Sequence, residues 1–148
     1  MGASAPNIER KLEMATINAP TLLNTQYSGV APLAVAHGQV ELAAAAVDDK
    51  VRLVKLYAGT KIYRVDTAFD DLGTSTTLDI GFEYVNGEAG GSATAFATGI
   101  DTDPAGTSSH VFFPVTLAYD AYIIATIKGA ASTGTLDVMT TFEFKGMK

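Results

Sequence analysis

Between Thr76 and Val85 apolar and polar side chains alternate one for one. Leu78, Ile80, Phe82 and Tyr84 fall on one face, and Thr77, Asp79, Gly81 and Glu83 on the other. Successive side chains of an extended chain point to opposite faces, so a period of two predicts a β-strand with an aromatic and aliphatic inner face. Lys61 to Asp70 reads the same way, with Tyr63, Val65 and Phe69 against Arg64, Asp66 and Asp70. Thr135 to Lys145 sets Leu136, Val138, Phe142 and Phe144 against Asp137, Thr141, Glu143 and Lys145. Two further runs are apolar on both faces. Tyr119 to Lys128 has Ile123 and Ile127 opposite Tyr122 and Ile124, and Lys50 to Tyr57 has Val51 and Leu53 opposite Val54 and Leu56. Such strands are expected to be covered on both sides. Ala93 to Ala97 and Val111 to Val115 are shorter strand candidates.

Val40 to Val47 admits two readings. Val40, Ala43, Ala44 and Val47 form a helical stripe, and alanine is the best helix former; Val40, Leu42, Ala44 and Ala46 form a strand face. The strand is preferred because Asp48-Asp49 then turns tightly into the next one. Between the strands, Ala58-Gly59, Asn86-Gly87 and Lys128 to Gly134 supply turn residues that tolerate positive φ, and Asp101 to Ser109 reads as a loop. About eight strands at short intervals predict an all-β chain, a single β-sandwich or jelly-roll-like domain over residues 37–148. Residues 1–36 read as an extended N-terminal arm, of which 1–13 have the look of an extension or tag. Pro20, Gly29 and Pro32 break any helix there, yet Leu22, Leu23, Tyr27, Val30 and Leu33 make the arm too apolar for a solvated tail. Those five side chains are the expected interface with another chain.

Composition narrows the chemistry. The 148 residues contain no cysteine, no tryptophan and two histidines, so a disulfide framework, a thiolate zinc site and a histidine-rich metal centre are all excluded. The net charge of −6 argues against a nucleic-acid groove. No apolar run approaches the ~18 residues that a membrane-spanning helix needs, and the N-terminus has no signal-like apolar stretch. His37 and His110 are the candidate general bases. In Ser108-Ser109-His110 the adjacent Ser109 points to the opposite face of a strand from the ring, so no nucleophile is expected there. Asp70-Asp71 and Asp101/Asp103 lie in loops that could offer oxygens to calcium, or could cap their own turns. The turn-capping reading is the stronger, and no cofactor or metal is expected. A glycan-binding sandwich would use Tyr57 and the loop 101–109, but no tryptophan platform accompanies them.

The stretch Val51-Arg52-Leu53-Val54-Lys55-Leu56-Tyr57-Ala58-Gly59-Thr60 leads into Asp70-Asp71-Leu72-Gly73-Thr74-Ser75-Thr76-Thr77-Leu78. Together with Gly129 to Val138, these turns resemble those of the tailed-bacteriophage head decoration (capsid-stabilising) proteins, which have a jelly-roll-like β-domain. Tyr57 stands where that pattern has proline. The resemblance spans about Gly38 to Gly146. It implies a non-enzymatic virion protein, a homo-oligomer, most simply a trimer, bound to the major capsid protein lattice on the outer surface of the head. A tail or neck component and a glycan- or host-surface-binding module are the alternatives. Few charges, 23 alanines and 18 threonines suit flat contacts between subunits.

Overall fold

The computed structural model describes residues 14–24 and 33–144. They form nine strands: β1 (Thr16–Asn18), β2 (Ala34–Ala45), β3 (Lys50–Leu56), β4 (Thr60–Phe69), β5 (Thr77–Tyr84), β6 (Ser92–Asp101), β7 (Gly106–Thr116), β8 (Ala121–Lys128) and β9 (Ser132–Phe144). One sheet has the order β2-β9-β4-β7 and the other β1-β3-β8-β5-β6. Without β1, these are the two four-stranded sheets of an eight-stranded jelly roll. Every pairing is antiparallel except β1 on β3, which is parallel.

Leu53, Leu56, Ile62, Leu78, Ile80, Ile123, Ile127, Leu136 and Phe142 are fully buried between the sheets. Three bulges arrange this. In β3, Leu53 is the extra residue between the pairs Arg52–Ile124 and Val54–Ile123. A bulge resets strand parity, so Val51, Leu53, Val54 and Leu56 are all buried while Arg52 and Lys55 stay partly exposed. The double-sided pattern of β3 is therefore one buried face with an insertion, not cover on both sides. In β4, Tyr63 is the extra residue between Ile62–Phe142 and Arg64–Thr141. Ile62 takes the inward place expected of Tyr63, whose hydroxyl instead donates to Glu143 at 2.8 Å. In β2, a bulge between Leu42 and Ala45 includes Ala44 at φ 52°. Ala45 is buried in consequence, and Ala44 and Ala46 are exposed. The strand reading of this segment is the observed one.

β8 is covered on both sides, with Ile123 inside and Ile124 almost wholly buried on the outer face. β5 keeps its alternation, but its polar face is also covered. A Cβ on Gly81 would stand 2.1 Å from the Ser92 carbonyl oxygen, because the start of β6 crosses directly over it. Gly38 likewise lets β2 close on β3, where a Cβ would lie 2.8 Å from that of Leu53. At the end of β9, Phe144 is exposed rather than inward, since the sandwich stops at Phe142. The loop expected over 101–109 is only four residues long, 102–105, and β7 already begins at Gly106.

The arm is partly built into the sandwich. β1 extends the five-stranded sheet, Leu22 is buried, and Thr21 Oγ1 donates to Leu53 O while accepting from Gln39 N. β2 starts at Ala34, inside the segment assigned to the arm.

Two substitutions test this packing. Gly81→Ala should lower the urea unfolding free energy by about 1–3 kcal/mol, because backbone atoms must move to admit one methyl group. Thr140 is buried in β9 with its hydroxyl lacking a hydrogen-bond partner. Thr140→Val should raise stability by about 1 kcal/mol in the same measurement, since an unsatisfied buried hydroxyl is removed at nearly constant volume.

Candidate interaction surface

The connections gather at two ends. At one lie the turns after β2, β4, β6 and β8; at the other lie those after β3, β5 and β7. Tyr57 and the 102–105 turn consequently sit at opposite ends of the ten-residue β4, about 33 Å apart at the usual strand rise. No single sugar ring can touch both. Tyr57 is 45% exposed, with the Lys55 ammonium 5.6 Å from its ring centre.

Three of the four candidate calcium carboxylates accept from backbone amides. Asp70 accepts from Thr135 N at 2.9 Å, Asp71 from Gly73 N at 3.1 Å, and Asp101 from Asp103 N at 3.1 Å. Among the described residues no group of three or more ligating side chains is placed to hold a metal ion. His37 Nε2 lies 2.6 Å from Asp137 Oδ1, which also accepts from Gln39. His110 Nε2 lies 2.6 Å from Ser108 Oγ. Spacing of two puts Ser108 and His110 on one face, so the serine facing the ring is Ser108, not Ser109. A nucleophile needs its base oriented by a third group, and no further hydrogen bond reaches this ring among the described residues.

On the outer face of the five-stranded sheet a groove is floored by Ile124 and Thr126 and walled by Met14–Thr16 and the 87–93 segment. Glu83 spans it, accepting from Lys50 Nζ at 2.7 Å and from Arg52 Nε at 2.6 Å, while the Arg52 guanidinium stacks 4.6 Å above the Tyr122 ring. Partial burial pushes the Glu83 carboxyl up, but the two cations outweigh it and hold it below the usual glutamate range. A carboxylate saturated by two cations is a poor base. It ties β3 to β5 across β8.

What the surface does offer is apolar. Of the five arm residues expected at an interface, Leu23 is 85% and Leu33 54% exposed. Leu22 is buried within its own chain, and Tyr27 and Val30 lie outside the described residues. In addition the structure exposes Val35 on β2 and, at the far edge of the same sheet, Val111 and Phe113 on β7, the last at 95%. The sequence marks Val111 to Val115 only as a short strand candidate, with no assignment of its faces. Phe112 turns in, stacking on Phe96 at 4.8 Å, and Val115 packs against the core with it. The doublet Phe112-Phe113 before Pro114 was the available signal, because proline in a strand marks an edge or a bulge.

No protein-family model and no curated protein matches the chain. Solved structures do share its fold. A chain in the capsid of Ralstonia phage GP4 superposes with a TM-score of 0.68 at 15% identity, covering 90% of this chain and 100% of that one. A chain of the cyanophage Pam1 capsid asymmetric unit gives 0.63 at 19% identity, covering 83% and 92%. One in the acid-stable capsid of Helicobacter pylori bacteriophage KHP30 gives 0.57 at 14% identity, covering 77% and 89%.

The Glu83 clamp has a pH signature. Because its folded carboxyl titrates below the unfolded one, its stabilisation is complete above the ordinary glutamate range, about 4.3, and is lost as pH falls through the depressed value. Glu83→Gln should therefore flatten the acid-side loss of stability, seen as a smaller drop in urea midpoint between about pH 5 and about pH 3 than in the parent.

Proposed function

We propose that this chain is a structural protein of a phage virion, a small jelly-roll subunit that docks on the outer surface of the head and stabilises it through buried area. The observation that carries this reading is the coverage of the three phage-capsid chains. Each consists of this fold over 89–100% of its own length, so in those capsids the fold makes up nearly a whole chain. Exposed arm leucines, and loop carboxylates bonded to backbone amides, support a role in contact rather than chemistry. The partners are the major capsid protein lattice and other copies of the chain, arranged as a closed oligomer, most simply a trimer.

Of the five expected arm residues, Leu23 and Leu33 are the ones exposed among the described residues. Deleting residues 1–36 would be a poor test, because it removes β1, buried Leu22 and the first three residues of β2. Leu23→Asp with Leu33→Asp leaves those elements in place. Burying one leucine contributes about 1.5–3 kcal/mol, so the double variant should bind undecorated heads of the parent phage at least about tenfold more weakly in a sedimentation pull-down. Its melting temperature should be unchanged. Undiminished binding would remove the arm from the interface, and failure of the parent protein to bind heads would remove the function.

A further inference from the structure

We infer that the flank formed by β6 and β7 is the contact between copies of this chain. Both are edge strands: among the described residues β6 pairs only with β5, and β7 only with β4. Consecutive in sequence and joined by the short 102–105 turn, they bring the free edges of both sheets to one side of the sandwich. The other side is closed differently. There β1 covers β3, and the outward amide of Gln39 on β2 is capped by Thr21 Oγ1.

Soluble sandwiches guard free edges with charge, lysine above all. Across the 21 residues of β6 and β7 there is no lysine or arginine, and the one carboxylate, Asp101, sits at the turn. On a chain of net charge −6, this is a region where a second copy can approach without repulsion. Its middle is apolar: Phe113 and Val111 are 95% and 77% exposed, while the stacked Phe96 and Phe112 seal the core behind them. Ala93, Thr94, Thr98 and Gly99, all exposed on β6, are small, so a neighbouring surface can come close to the strand.

The dimensions fit. An eleven-residue strand is about 36 Å long, and two sheets about 10 Å apart with their flanking side chains make a face about 20 Å wide. That is roughly 700 Å², close to the ~800 Å² per partner of a standard stable interface. The three-residue bulge at 112–114, with Pro114, interrupts the β7 edge. The contact is therefore packing around Phe113 as its anchor, not a continuous ladder, in keeping with the way single buried aromatics dominate interfaces.

The inference deepens the assembly reading above, but its test needs no capsid. In sedimentation at tens of micromolar the full chain should run at a multiple of 15.4 kDa. Phe113→Lys with Thr98→Lys should bring it to 15.4 kDa with an unchanged circular dichroism spectrum, while Val35→Lys should leave the oligomer intact. Should the double variant fail to fold, amide exchange on the parent decides. Dilution should speed exchange in β6 and β7 at least about tenfold and leave β2 unaffected. A monomeric parent, an oligomer that survives both lysines, or exchange in β6 and β7 independent of concentration would overturn the inference. An oligomer that binds no heads would keep this contact and overturn the function instead; a monomer that binds heads would do the reverse.

Discussion

Eight strands can share one dry layer only if each presents its apolar side to the same gap, about 10 Å wide between packed sheets. Strict alternation does not deliver that over the whole chain, and insertions at Leu53, at Tyr63 and beside Ala44 restore it where it slips. Each also bends its strand and strengthens the twist that lets two sheets roll together. The close approaches at Gly38 and Gly81 follow from the same requirement. One brings β2 down onto β3 on the inside, and the other lets β6 fold over β5 on the outside. The Glu83 clamp depends on it too, since Lys50 and Arg52 face outward together only because Val51 and Leu53 face in.

That constraint explains how much could be read in advance. β5 and β9 alternate cleanly over most of their length, and their inner faces were legible residue by residue down to Phe142. β3 was misread because a parity reset looks the same in sequence as a strand buried on both sides. Tyr63 was misread for the same reason, one aromatic residue displaced by an insertion that only its pairing partner reveals. Val111 and Phe113 were invisible as surface features. A β-branched and aromatic run has the same composition whether it faces a core or a partner, and only the strand's place at a sheet edge separates the two. The arm was legible as apolar but not as divided, with Leu22 buried inside and Leu23 directed out.

The result is a molecule with unequal flanks. One is finished by the chain itself, through β1 and Thr21. The other is left open along two strands, with no lysine or arginine, around a nearly naked phenylalanine. An enzyme concentrates its unusual groups in a concavity. Here Asp71 and Asp101 cap turns, Glu83 in the groove is held by two cations, one histidine meets an aspartate and the other a serine.

The parallel pairing of β1 with β3 has a mechanical side. Suppose the chain ahead of Met14 were held by an external anchor and the sandwich were drawn away from it. Tension would enter along β1 and run parallel to β3. The short ladder at Thr16–Asn18, together with the Ala15 and Ala19 backbone bonds that flank it, would then be loaded in shear, all its bonds at once. Pulled from the opposite direction, across the sheet, the same bonds would open one after another like a zip. A few residues of parallel strand thus give this subunit a strong direction and a weak one.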